Sequence, residues 1–137
     1  MVDRVKGRVN RNFWLNQLPA FAWAAMIFLL SSFPTYRFPR VEIPGADKMM
    51  HVGLFFGLAF FTERALRLQN RVLPWAERSI LLAVVLSFLY GLLDETHQMF
   101  VPTRAPDIVD AAADLGGGLL FALVAFAFRS SRKQTAS

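Results

Sequence analysis

The chain has 137 residues, 55% of them hydrophobic and 14 of them phenylalanine, with no cysteine and a formal net charge of +5. A mean hydropathy of +0.38 is more apolar surface than so short a soluble domain hides, and the bilayer removes that difficulty by solvating it. Without cysteine there are no disulfides, thiolate metal sites or thiol nucleophiles, and the basic residues flank apolar runs rather than forming one patch, which speaks against nucleic acid.

Arg4, Lys6, Arg8 and Arg11 precede an apolar run that begins at Phe13. This resembles a signal peptide, but the run continues to Phe33 and Pro34 follows without a small-x-small cleavage site, so it reads as a retained first span. A hydrocarbon core about 30 Å thick needs roughly 20 helical residues, and four segments meet that requirement. They are 13–33, 49–66, 79–100 and 107–128. Pro34, Pro39, Pro44 and Gly45 interrupt the first connection, Asn70 and Pro74 the second, and Pro102 with Pro106 sharpen the third. The reading is an all-α, four-helix membrane bundle forming a single domain over residues 1–137.

Lysine and arginine set the orientation. The N-terminal tail carries four; Arg64, Arg67, Arg71 and Arg78 supply four more; Arg129, Arg132 and Lys133 bring that side to eleven. The opposite side has Arg37, Arg40, Lys48 and Arg104. Both termini are therefore expected in the cytoplasm. Most acids lie on the other side, which charge-based topology does not explain.

Gly53 and Gly57 form a GxxxG pair, and Gly116, Gly117 and Gly118 sit among alanines; small residues of this kind let helices pack closely in lipid. The polar residues form three stripes. Asp47, Lys48 and His51 open the second span; Tyr90, Asp94, Glu95, His97 and Gln98 end the third; Arg104, Asp107, Asp110 and Asp114 follow on the turn and fourth span. Spacings of three and four keep each stripe on one helix face. A short turn makes the last two spans antiparallel neighbours, so the stripes are expected to share one pocket. An ionised acid at mid-span costs about 2.5–3.5 kcal/mol, so these groups must pair, take up a proton or line a wet cavity. Plainer roles compete: Asp47 as a helix cap, Asp107 as a first-turn acid, Lys48 and Arg104 as interfacial cations, His97 as an exposed interfacial ring.

These motifs resemble the VanZ-like family. The match rests on Asp47-Lys48-Met49-Met50-His51, on Tyr90-Gly91 leading through Asp94-Glu95 and Gln98 to Phe100, Pro102 and Arg104, on Asp110 with Gly117, and on Ser31-Ser32 before Pro34. Thr103 stands where the pattern has glycine, and Asp114 where it has asparagine. The resemblance implies a multi-pass protein of the bacterial cytoplasmic membrane and cell envelope, tied in one branch to glycopeptide antibiotic resistance.

Three functional readings remain open. One is an outward-facing site for a lipid-linked or amphiphilic envelope molecule. In it His51, Asp94 and Glu95 act as acid–base groups or hold a divalent cation, and Asp47, Lys48, Tyr90, Gln98, Arg104, Asp110 and Asp114 line the pocket. The second is a non-enzymatic scaffold, and the third an oligomeric transporter. No nucleophile motif is present.

Overall fold

The computed structural model describes residues 2–37, 43–69 and 73–134, with side chains from 14 onward and up to 131. Pro39, Arg40, Glu42, Asn70, Arg71 and the side chains of Arg4, Lys6, Arg8, Arg11, Arg132 and Lys133 lie outside the described residues. The described chain is helical: α1 (Val2–Ser31), a 3-10 turn at Thr35–Arg37, α2 (Ala46–Leu68), α3 (Leu73–Glu77), α4 (Ser79–Gln98) and α5 (Ile108–Gln134).

Among the described residues, three stretches are long and apolar enough to cross a membrane by length and composition: Trp14–Ser31, Ser79–Gln98 and Ile108–Ser131. The second expected span falls in α2. Its 23 residues give a length of about 34 Å, but Asp47, Lys48, Glu63, Arg64 and Arg67 dilute its apolar character. α2 is also the central helix, packed against α1, α4 and α5. A helix sheltered by its neighbours can carry charge that a lipid-facing one cannot.

Burial runs opposite to that of a soluble protein. Phe21, Leu93, Leu123 and Phe128 are exposed, whereas Ser79, Ser87, Asp94, Glu95, Gln98 and Asp114 are buried. Two apolar clusters join the helices: Ala59, Ile80, Ala83 and Phe121 knit α2 to α4 and α5, and Ile27, Phe55 and Leu58 knit α1 to α2.

Glycine sets the closest approaches. A Cβ at Gly117 would collide with the Val52 carbonyl oxygen of α2, and one at Gly57 would lie 2.6 Å from the Trp23 ring of α1. Beside Gly57, Trp23 Nε1 donates to the Leu54 carbonyl at 2.8 Å. A Cβ at Gly53, the other half of the GxxxG pair, would meet nothing within 4 Å.

The helix starts differ from expectation. Gly45, at φ 78°, is the N-cap residue of α2, and Asp47 lies in the first turn. Asp107 stands just ahead of α5, and its Oδ1 accepts from the Val109 N–H at 2.8 Å. The side-chain cap therefore belongs to Asp107 rather than Asp47. Pro74 sits inside α3, a short helix whose first turn tolerates proline because no N–H is needed there.

Candidate functional site

The helices gather the polar stripes at one end of the bundle, in two adjoining groups. Between α1 and α4, Ser31 Oγ donates to Asp94 Oδ1 at 2.5 Å and Gln98 Nε2 to Asp94 Oδ2 at 3.0 Å. Arg104 closes this group, donating to Gln98 Oε1 at 3.3 Å and to the carbonyls of Phe33 and Leu30 at 3.0 and 3.2 Å. Tyr90, two turns before Gln98 on the same face, donates to the Ala24 carbonyl at 2.7 Å. His97 lies against Phe28, with its Nε2 3.0 Å from Ser32 Oγ.

The second group joins α2 to α5. Lys48 Nζ lies 2.7 Å from Asp107, 2.5 Å from Asp110 and 3.2 Å from Asp47. Lys48 lowers the pKa of Asp47 and of Asp107 through direct hydrogen bonds, so both carboxylates stay charged. Burial works against the Lys48 charge, but Asp107, Asp110 and Asp47 outweigh it and raise its pKa. One turn deeper, His51 Nδ1 meets Asp114 Oδ1 at 2.8 Å, and its Nε2 is 3.9 Å from Asp110. Glu95 reaches this group from α4, accepting the Asp107 N–H on Oε2 at 2.9 Å.

Adjacent residues on a helix point about 100° apart, and that divides Asp94 from Glu95. Asp94 faces α1 and Glu95 faces α5. A ring nitrogen of His51 and one carboxylate oxygen each of Glu95 and Asp114 all lie within 4.8 Å of one another, and the direct partner of His51 is Asp114. Asp114 is 1% exposed, and its Oδ2 has no hydrogen-bond partner. Gly91 makes room for it: a Cβ there would stand 2.7 Å from that oxygen. Ser31 and Ser32 had no assigned role in the sequence beyond their place in the motif; the signal was that motif's position, one polar pair at the end of an apolar run.

A groove of about 550 Å³ opens beside the first group. Trp23, Ile27, Leu30, Gly53, Leu54 and Phe55 give it apolar walls, and His51, Asp94, Gln98 and Arg104 stand among its lining residues.

Compared with known proteins, residues 6–129 match the model of the VanZ/LLP1 family. No curated protein and no solved structure matches the chain.

Proposed function

The chain belongs to the VanZ-like family, and from that premise we propose that it is a four-span protein of the bacterial cytoplasmic membrane that takes up a lipid-linked or amphiphilic envelope molecule. In this reading both termini are cytoplasmic and the polar cluster faces outward, as the lysine and arginine distribution implies. The groove carries the proposal. Its walls suit an acyl or prenyl chain, and the polar groups at its end suit a headgroup. Asp94, Gln98 and Arg104 orient that headgroup, with His51 at the boundary between the two polar groups.

A scaffold is the second reading, favoured by the Lys48 ion pairs that tie α2 to α5. Gly53 separates the two. It lines the groove, and a Cβ added there would meet no neighbour within 4 Å, so Gly53→Trp is expected to project into the groove rather than into the backbone of a neighbouring helix. With a photoreactive polyprenyl phosphate in nanodiscs, labelling of the wild type is expected at Leu30 and Leu54. Gly53→Trp is expected to lower it at least tenfold, or about 1.4 kcal/mol, at an unchanged melting temperature. Equal labelling of both proteins overturns the groove reading. Reporter fusions at residue 134 and in the Pro39–Pro44 segment test the orientation, which fails if the C-terminal fusion is active outside.

A further inference from the structure

We propose that His51, Glu95 and Asp114 together hold a divalent transition-metal ion at the boundary of α2, α4 and α5. The proposal rests on the amphiphile reading for its purpose but not for its geometry.

Three observations converge. The donors come from three different helices, and one ligand atom from each lies within 4.8 Å of the other two. Ligands about 2.1 Å from one tetrahedral ion stand about 3.4 Å apart, so side-chain shifts of up to about 1.4 Å bring all three onto it. Secondly, Asp114 is 1% exposed, and its Oδ2 has no hydrogen-bond partner. That oxygen faces position 91 of α4, and Glu95 lies one turn further along the same helix face. A buried carboxylate oxygen with no donor is costly unless a cation or proton supplies what is missing.

The third observation concerns charge. Asp47, Asp94, Glu95, Asp107, Asp110 and Asp114 gather around Lys48, Arg104 and His51. Lys48 is already engaged by three carboxylates, and Arg104 by two backbone carbonyls and Gln98. An anionic headgroup entering this acidic end would meet repulsion. An ion held by His51, Glu95 and Asp114 reverses that sign and offers open coordination positions to a phosphate or carboxylate. One imidazole and two carboxylates suit Zn²⁺ or Mn²⁺, whereas Ca²⁺ and Mg²⁺ prefer oxygen ligands throughout. Binding requires an unprotonated ring nitrogen on His51.

The full chain in nanodiscs, stripped with chelator and re-equilibrated with Zn²⁺ or Mn²⁺, tests this. Bound metal is measured by mass spectrometry, and Co²⁺ absorption reports the ligand set. About one ion per chain is expected, with a melting temperature that rises when the ion is restored. His51→Gln, Glu95→Gln and Asp114→Asn are each expected to weaken binding at least 10–100-fold, the loss seen for outer-shell partners alone. Glu63→Gln, at the far end of the bundle, is expected to keep the ion. Substoichiometric metal in the wild type, or wild-type affinity in the Asp114→Asn protein, overturns the proposal. Should a ligand variant fail to fold, the Co²⁺ spectrum of the wild type decides: nitrogen and oxygen ligation supports the site, and a spectrum of hydrated ion refutes it. Metal bound by a Gly53→Trp protein that no longer labels with lipid supports the site even as ligand entry is blocked. Metal without lipid labelling in the wild type leaves the ion site standing and removes the groove reading.

Discussion

At one end of the bundle a single buried carboxylate, Glu63, accepts from Arg129 at 2.7 Å, from Arg67 at 3.0 Å and from Ser79 at 3.0 Å. At the other end, among the described residues, six carboxylates crowd around two fixed cations and a histidine, and Asp114 Oδ2 has no hydrogen-bond partner. Both networks tie three elements or more, and both sit among apolar helices. They differ in satisfaction. The Glu63 network offers donors in excess of what it needs, as a structural clasp should. The Asp114 network is short of positive charge, and proteins keep such imbalance where a ligand, proton or ion completes it.

The sharpest way to break this contrast is to remove one carboxylate from each end. Glu63→Ala takes away three charge-assisted bonds, and since both arginines can turn to water the expected loss is about 1.5–3 kcal/mol in detergent unfolding. Asp114→Asn in chelator-treated protein is expected to cost nothing or to stabilise, because a neutral amide is easier to bury than a carboxylate short of partners. Its effect should fall on function instead. Equal destabilisation by both variants would make the two ends alike and leave the scaffold as the better account.

A smaller effect, of opposite sign, is expected at the turn before α5. Thr103 has φ 66°, a left-handed conformation that a β-branched residue adopts at a cost. Thr103→Gly is expected to stabilise by about 1 kcal/mol, read as a higher midpoint in thermal unfolding. The glycine of the family pattern is therefore a backbone requirement, and this chain meets it with strain.

Least in size is the acid dependence of the Lys48 group. Asp47 and Asp107 have folded-state pKa values below the ordinary carboxylate value, so their contribution is present above that value and is lost as pH falls through the folded one. Stability should be level from neutrality to about pH 5 and decline below about pH 4. Lys48→Met should flatten that decline; an unchanged acid limb would assign it to other groups.

The helices and their polar faces were legible in the sequence because a period near four residues fixes which side chains share a face. The partner across the interface was not. His51 pairs with Asp114 rather than directly with Asp94 or Glu95, since spacing along one helix says nothing about the rotation of its neighbour. The caps of α2 and α5 exchanged roles because Gly45 takes φ 78°, a backbone property that an acid two residues later conceals. Pro74 signalled an interruption and proved to lie in the first turn of a five-residue helix, where proline is compatible with either reading. Lys48 was expected to line the pocket, and its contacts with Asp107 and Asp110 became visible only once α2 and α5 were side by side.

The bonds that dock α1 have a consequence for biosynthesis. Ser31 and Asp94 are 63 positions apart, and at 5–20 residues per second their synthesis is separated by roughly 3–13 s. Tyr90 and Arg104, which hold Ala24, Leu30 and Phe33, emerge as late. α1 leaves the ribosome before these partners and therefore reaches its final seat only after they have emerged. During that interval its Trp23 and Ser31 have only lipid, the insertion machinery or α2 to lean on.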